Sequence, residues 1–205
     1  MDNAHTANTK QNYSKAVMLI SGGVDSTTLL TYLKNLGYDV HCIFFDYGQT
    51  NVEPTLAACK YYTELYKATL QVIKLPYDWS RASIIGDNFV DEQMTEENIY
   101  KKDVKEMSWV PARNAVMLLL AGGVASEMNV REVFCSFQFD KVEWATYNEL
   151  ELKHEFGAPD LTPAFIQTLN STALFCYKTL VQFIAPFIKD KMDCNEIVML
   201  EILWE

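Results

Sequence analysis

The sequence lacks the features that define several large classes of protein. No two of its five cysteines stand as Cys-x-x-Cys, and their odd number argues against a disulfide framework. Its apolar runs fall well short of the roughly 18 residues that a membrane span needs, and residues 1–14 have no apolar core of a signal peptide. Basic residues number only 17 against 27 acidic ones, for a formal charge of -10. We therefore expect a cytoplasmic protein with neither membrane nor nucleic acid as a partner, because such a surface repels a phosphate backbone.

Apolar residues, by contrast, are plentiful enough for one globular core. Of the 205 residues, 49% are hydrophobic and 21% are charged, a balance typical of a folded domain. We expect a disordered N-terminal arm over residues 1–14 and a single domain over residues 15–205. Irregular segments are expected within that domain at about 76–108 and 138–160, where the apolar periodicity stops.

Short apolar runs alternate with amphipathic stretches along the chain. Strands are predicted at Ala16–Ile20, Val40–Phe45 and Thr69–Leu75, with a helix between each pair, the first of which ends at Gly37. The later predicted elements are a helix at Pro111–Met128, a strand at Glu132–Phe137, a helix at Pro163–Lys178, a short apolar segment at Val181–Ile188 and a final helix at Asp193–Trp204. This order predicts an α/β fold, a doubly wound parallel sheet with helices on both faces.

A pair of glycines joins the first predicted strand to the first predicted helix, within Ser21-Gly22-Gly23-Val24-Asp25-Ser26. Glycines allow the backbone to turn tightly and to approach a ligand closely. The start of a helix offers unpaired N–H groups and a partial positive charge, and the hydroxyls of Ser21 and Ser26 can donate to phosphate oxygens. Residues 21–26 are therefore predicted to form a phosphate-binding loop.

This loop matches neither of the two common nucleotide motifs. It has no Walker lysine and no Gly-x-Gly-x-x-Gly pattern. A carboxylate beside phosphates is repulsive unless it holds a metal ion, so Asp25 predicts a Mg²⁺ bridge to a pyrophosphate group. The alternative is that Asp25 only caps the helix and the glycines only make a turn.

Two further motifs follow at positions where ligands are commonly bound. Residues 44–49, Phe-Phe-Asp-Tyr-Gly-Gln, close the second predicted strand, and ligands bind where the strands of a doubly wound sheet end. Residues 109–114, Trp-Val-Pro-Ala-Arg-Asn, open the long helix, where the planar donor fork of Arg113 would face an anion beside Asn114. The alternatives are an ordinary solvated loop and a surface arginine at a helix start.

Together the three motifs resemble the PP-loop ATP pyrophosphatases, enzymes that adenylate a substrate and release pyrophosphate. The trio is most similar to the QueC family of 7-cyano-7-deazaguanine synthases in the queuosine pathway, and the similarity spans about residues 15 to 200. The resemblance implies an adenine nucleotide alpha hydrolase-like fold and a single PP-loop ATP-binding domain over residues 15–205. It also implies an ATP-dependent ligase that makes the nitrile from 7-carboxy-7-deazaguanine and ammonia.

The resemblance also implies which residues carry this chemistry. Asp25, Arg113 and Asn114 would be catalytic, while Asp140 and Asp160 would contact the substrate. The cofactors implied are ATP and Mg²⁺, with Asp25 as the protein ligand of the metal, and family members are commonly homodimers. The implied nucleotide contacts are Ser21, Gly22, Gly23, Val24, Asp25, Ser26, Asp46, Tyr47 and Gln49.

The distal half of the chain departs from the family's pattern. The family's four-cysteine zinc site has no counterpart here, and Cys194 alone cannot supply a tetrahedral sulfur site, so we predict no zinc. Cys194 also stands near a position where many relatives have a lysine, with Lys189 and Lys191 as candidate replacements. Two other functions therefore stay open: a related adenylating ligase that makes a deazaguanine amide or conjugate, and a non-catalytic partner subunit that binds nucleotide or deazaguanine.

The remaining reactive side chains are assigned mainly structural roles. His41 lies inside a predicted strand and is expected to be a packed core histidine, and His154 is a candidate substrate contact or a structural residue. Most of the cysteines lie in apolar segments and are expected to be small buried hydrophobes.

Overall fold

The computed structural model describes residues 14–76, 110, 112–137 and 159–189. Within them, five strands form one sheet in which every neighbouring pair is parallel. The strands are β1 (Lys15–Leu19), β2 (Asp39–Asp46), β3 (Thr69–Lys74), β4 (Glu132–Phe134) and β5 (Gln182–Ile184). Their order is β3-β2-β1-β4-β5, so the chain winds outward from β1 on one side and then on the other. The predicted doubly wound parallel sheet is confirmed.

Helices cover both faces of this sheet, as predicted. Met18 on β1 packs in one core with Leu29 of the first helix, whereas Val17 packs in the other core with Leu118 and Leu169 of later helices. Neighbouring residues of a strand point to opposite faces, so a single strand contributes to both cores. None of the helices in the described part of the chain is long and apolar enough to cross a membrane. The helices are α1 (Val24–Asn35), α2 (Val52–Leu65), α3 (Arg113–Glu127), α4 (Pro163–Cys176) and α5 (Pro186–Lys189).

The end of α1 follows its local sequence signal. Gly37 adopts a left-handed φ of 83°. Its N–H donates to Lys34 O at 3.0 Å, and the Tyr38 N–H donates to Leu33 O at 3.0 Å. This glycine-terminated helix end confirms the stop predicted at Gly37.

Several other boundaries differ from the sequence prediction. Helix α3 begins at Arg113, two residues later than predicted, because Ala112 has a left-handed φ of 61°. Strand β4 ends at Phe134 rather than Phe137, and helix α4 ends at Cys176 rather than Lys178. The predicted final helix, the N-terminal arm and most of the two irregular segments lie outside the described residues.

One exposed edge of the sheet is paired by a side chain. The Asn170 amide donates from Nδ2 to Phe183 O at 2.9 Å and accepts from Phe183 N at 2.7 Å. Phe183 lies on β5, at the end of the strand order, and its neighbours Gln182 and Ile184 bond back toward β4. Asn170 therefore satisfies both outward-facing backbone groups of Phe183 with one planar group.

Two predictions about reactive side chains have different outcomes. Cys42, Cys59 and Cys135 are buried, as expected, and burial raises the pKa of each thiol to about 12. Cys176, in contrast, is exposed. The expectation that His41 is a core residue is wrong: its ring is only partly buried and bonds to polar partners on β3. Nδ1 lies 2.8 Å from Thr69 Oγ1, and Nε2 lies 2.9 Å from Gln71 Oε1.

Helix α3 makes room for a tyrosine at one of its two adjacent glycines. The Tyr177 hydroxyl donates to Leu119 O at 2.6 Å, and a Cβ on Gly122 would lie 2.6 Å from Tyr177 Cζ. A Cβ on Gly123 would meet none of the described residues within 4 Å. The first glycine is therefore required by packing, whereas the second is a helix position without a packing reason for glycine.

The two glycines predict opposite effects of the same substitution. Gly122→Ala should lower the free energy of unfolding by about 1 to 3 kcal/mol, because it overpacks against a tyrosine ring. Gly123→Ala should raise it by up to about 1 kcal/mol through helix propensity alone. Urea denaturation of both variants measures the difference, and equal effects at the two positions would contradict this packing.

Candidate functional site

The loop after β1 turns sharply before α1 begins. Gly22 has a φ of 78°, a conformation that side chains other than glycine rarely adopt. Gly23 is extended and caps α1 without any side-chain hydrogen bond. The first backbone hydrogen bond of α1 runs from the Thr27 N–H to Gly23 O, at 3.1 Å. The amides of residues 24–26 therefore have no acceptor within the helix, as at the start of any helix. These amides lie at the positive end of the helix dipole, where anions are stabilised.

The hydroxyl of Ser26 bonds across this loop to Gly23 and Ser21. Ser26 is 2% exposed, and its Oγ donates to Gly23 O at 2.9 Å. The same oxygen accepts from Ser21 N at 3.2 Å and lies 3.2 Å from Ser21 Oγ. Ser21 is exposed. Of the two hydroxyls predicted to donate to phosphate, that of Ser21 faces solvent, whereas that of Ser26 braces the loop.

The backbone of Gly22 also packs closely against helix α2. A Cβ at Gly22 would lie 2.5 Å from the backbone oxygen of Thr55 and 3.3 Å from Ala58 Cβ. A Cβ at Gly23 would meet only Ser21 Oγ, at an ordinary contact distance of 3.6 Å. The close approach to Thr55 is a contact that the sequence reasoning missed, since only the fold shows which helix lies beside the loop.

Asp25 lies in the first turn of α1 and is partly buried. Burial raises the pKa of its carboxyl above the ordinary value of 3.8. Within the described residues, no ion pair to Asp25 offsets this loss of hydration. A half-buried carboxylate beside free helix amides is a suitable ligand for a hard divalent cation.

The second motif forms a tight turn at the end of β2. Asp46 Oδ1 accepts from Gly48 N at 3.1 Å, and Gly48 has a left-handed φ of 83°. Asp46 Oδ2 lies 4.0 Å from Lys74 Nζ, at the end of the neighbouring strand β3. Gln49 is 8% exposed, and its amide bonds within the same turn. Lys74 is a charge partner that sequence reasoning missed, although its place at the end of a predicted strand was the available signal.

Arg113 joins the third motif to the second. Its guanidinium carbon lies 5.4 Å from the centroid of the Tyr47 ring, within the range of a cation–π interaction. Nη1 donates to the Tyr47 hydroxyl at 3.3 Å, and Nε donates to Asn114 Oδ1 at 3.4 Å. Asn114 itself is 9% exposed. Two motifs that are 66 residues apart in sequence therefore meet through side chains.

The predicted site residues thus fall into three groups. Residues 21–26 surround the end of β1, and Asp46, Tyr47 and Gln49 surround the end of β2, where Arg113 and Asn114 join them. Asp160 is 7% exposed, in the short 3₁₀ turn Pro159–Leu161 that leads into α4. The remaining candidates, Asp140 and His154, lie outside the described residues. Because β1 is flanked by β2 and β4, its loop lies at the point where the winding reverses, the usual ligand crevice of such sheets.

Solved structures of other proteins have the same fold. One is the predicted subunit of tRNA methyltransferase from Methanocaldococcus jannaschii, with a TM-score of 0.51 and 19% identity, covering 91% of this chain and 73% of that one. Another is the U34-tRNA thiolase NcsA from Methanococcus maripaludis, with a TM-score of 0.55 and 18% identity, covering 94% of this chain and 58% of that one. At these identities the likeness shows the fold alone.

Sequence comparison then identifies the family. The model of the family described as "Queuosine biosynthesis protein QueC" matches residues 15–202, so this chain belongs to the QueC family. The 7-cyano-7-deazaguanine synthase of Methanocaldococcus jannaschii is 30% identical over 190 residues, covering 91% of this chain and 75% of the relative. That of Methanococcus maripaludis strain C6 is 27% identical over 179 residues, covering 85% and 71%. The resemblance inferred from the three motifs is confirmed.

The geometry of the loop predicts that its two glycines differ in their importance for folding. Gly22→Ala should lower the free energy of unfolding by about 1 to 3 kcal/mol, since it combines a left-handed backbone with a clash against a helix carbonyl. Gly23→Ala should change it by less than about 0.5 kcal/mol, because its backbone is extended and the space is open. Urea denaturation tests both variants, and a Gly23→Ala loss as large as that of Gly22→Ala would refute this difference.

The burial of Asp25 predicts a pH-dependent effect on stability. Without nucleotide or metal, Asp25→Asn should raise the thermal unfolding midpoint at pH 7, because it removes a carboxylate that loses hydration on folding. The folded-state pKa is raised, so the gain should shrink as pH falls through that pKa. It should vanish below about 3.8, where the carboxyl is protonated in both states.

Thermal melts from pH 7 downward measure this effect. Asp39→Asn provides the baseline, since Asp39 is an exposed carboxylate at the start of β2. A gain for Asp25→Asn that stays constant across the whole pH range would show that burial of the charge is not its cause.

Proposed function

We propose that this chain is an ATP-dependent synthase that converts 7-carboxy-7-deazaguanine and ammonia into 7-cyano-7-deazaguanine. In the first activation, a carboxylate oxygen attacks the α-phosphate of ATP, and pyrophosphate leaves. Ammonia then displaces AMP, which carries away that oxygen, to give the amide. In a second activation, the amide oxygen is adenylated with release of a second pyrophosphate, and loss of AMP and protons leaves the nitrile. The homodimeric state and cytoplasmic location expected from the sequence belong to the same proposal.

The observation that carries this proposal is the unexplained glycine at position 23. The fold requires glycine at Gly22, but Gly23 has an ordinary backbone conformation and open space where a side chain would stand. Open space at Gly23, directly beside the amides at the start of α1, leaves room for a ligand to approach the backbone closely. The adjacent amides at the start of α1 make that ligand an anion, and the family makes it the pyrophosphate portion of ATP.

The residues present fit Mg²⁺ as an ion that arrives with the nucleotide. Among the described residues, no group of three or more His, Cys, Asp or Glu side chains could hold a metal by itself. Mg²⁺ commonly uses one or two carboxylates together with substrate phosphates, and Asp25 offers such a carboxylate at the loop. When bound, the ion would neutralise charge on the leaving pyrophosphate.

Arg113 is the candidate for stabilising charge on the reacting groups. An arginine has five N–H donors, and the contacts to Tyr47 and Asn114 use one at Nη1 and one at Nε. The remaining donors can bind a carboxylate or phosphate in a planar, bidentate manner. Catalysis would then consist of positioning the reactants and stabilising negative charge, without a nucleophilic side chain. Asp160 and Asp140 are assigned to the deazaguanine by resemblance.

One assay with two folded variants tests this function. The protein is incubated with ATP, Mg²⁺, 7-carboxy-7-deazaguanine and ammonium, and the products are followed by mass spectrometry. The wild type should form the nitrile together with AMP and pyrophosphate. Asp25→Asn and Gly23→Ala should keep the fold but release pyrophosphate at least about 100-fold more slowly, because each disturbs a group that faces the phosphates.

The product distinguishes this function from the alternatives. An amide or a conjugate in place of the nitrile would indicate a related ligase that performs a single activation. Absence of AMP and pyrophosphate with every acceptor tested would sink the enzyme proposal and favour a binding subunit.

A further inference from the structure

We propose that Gln49 is a positioning residue that acts through Tyr47 on Arg113, rather than a contact to nucleotide or substrate. The side chain of Gln49 holds the turn after β2, the turn holds the Tyr47 ring, and the ring orients the guanidinium of Arg113. The consequence for turnover rests on the proposed function, since it requires Arg113 to act on a reactant. The geometric part, that Gln49 and Tyr47 orient the guanidinium of Arg113, does not rest on the proposed function.

Both ends of the Gln49 amide are used inside the turn. Oε1 accepts from Tyr47 N at 2.9 Å, and Nε2 donates to Phe45 O at 3.2 Å. Gln49 is 8% exposed, and Phe45 is 5% exposed. An amide that is 8% exposed and bonded at both ends to its own backbone turn is held in place by that turn and offers a ligand little surface.

The position of Phe45 O explains why a side chain is needed here. Ile43 O accepts from Ile20 N at 3.0 Å, directly after the last pair of the β1–β2 ladder. Carbonyls two residues apart on a strand point to the same neighbour, so Phe45 O is the next acceptor on that edge. Opposite Phe45, the chain has already left β1 and entered the loop of residues 21–26. The amide of Gln49 therefore donates to Phe45 O the hydrogen bond that β1 would have donated if the strand had continued.

Tyr47 transmits this bracing to the active arginine. Its backbone N–H is the group held by Gln49, and its hydroxyl accepts from Arg113 Nη1 at 3.3 Å. The ring also lies beneath the guanidinium, 5.4 Å from centroid to Cζ. Arginine side chains are flexible, so a fixed aromatic surface restricts which way the donor fork points. If the turn were lost, the guanidinium of Arg113 would no longer be held in one orientation. Misplacement of such a group by about 1 Å can lower the rate roughly 100-fold.

The alternative side chains at this position cannot repeat both bonds. Glutamate keeps an acceptor for Tyr47 N but loses the donor, and it directs a second oxygen at Phe45 O. Methionine has a similar length and forms neither bond. Gln71 offers a matched control, since its amide bonds to the side chain of His41 on the sheet, away from the turn.

A double-mutant cycle tests whether Gln49 acts through Arg113. Gln49→Met should lower kcat/KM for pyrophosphate release by about 10- to 100-fold in the wild-type background, mainly through kcat. In an Arg113→Met background, the same change should cost less than about 3-fold, because the residue on which it acts is already gone. In the wild-type background, Gln49→Glu should lower kcat/KM by less than Gln49→Met does, because glutamate keeps the acceptor for Tyr47 N. Gln71→Met should leave turnover unchanged. Equal losses from Gln49→Met in both backgrounds would overturn the inference.

A spectroscopic measurement separates this inference from the proposed function. The Nε–H resonance of Arg113, identified by its loss in Arg113→Met, reports the ring and the hydrogen bond that surround it. Gln49→Met should shift this resonance toward that of a solvent-exposed arginine, whereas Gln71→Met should not. An unchanged resonance in Gln49→Met would refute the positioning role, even if the wild type released no pyrophosphate and the proposed function had failed.

Discussion

The backbone of the loop of residues 21–26 packs closely against the backbone of helix α2 where Gly22 lies beside the carbonyl oxygen of Thr55. A side chain would not fit there, so this contact sets how far the loop can lie from the helix. Helix α2 is itself fixed by Leu56 and Cys59, which pack into the core shared with α1. The direction of the amides at the start of α1 therefore depends on a contact with a second helix. The same loop contains the tight turn at Gly22 and the hydrogen bond from Ser26, and it leads directly to Asp25 in the first turn of α1.

The charges around the loop explain why a cation is needed in the proposed reaction. Asp46 is balanced by a backbone amide and by Lys74. Asp25, by contrast, is partly desolvated beside the position proposed for the triphosphate, and burial already disfavours its charge. A chain with a formal charge of -10 gives no general attraction for a nucleotide. In the proposed reaction, a divalent ion would offset two unfavourable terms at once, the buried carboxylate and the phosphate charge.

The sequence was sufficient for the parts of the fold that depend on local periodicity. The strands near Ala16, Val40 and Thr69, the helices between them and the stop at Gly37 are set by apolar spacing and by glycine. Contacts across the fold could not be predicted, because nothing in the sequence brings Thr55 to Gly22 or Tyr47 to Arg113 before the sheet order is known. The motif residues were identified from their types, but their roles in the turn were not. Gln49 and Ser26 read as ligand contacts in sequence, whereas the structure shows their polar atoms bonded to their own backbone segments.

The amide of Asn170 has a consequence for the width of the sheet. It occupies both backbone groups of Phe183 on the outer side of β5, so a sixth strand could not join there without displacing a planar partner that already bonds twice. In a parallel sheet, each new strand must find alternating donors and acceptors along the edge. One side chain from a covering helix thus acts as a terminator of strand addition, both for other parts of this chain and for the edge of a neighbouring molecule. Within the described residues, this edge of the sheet is closed by a helix residue rather than by the length of the strand.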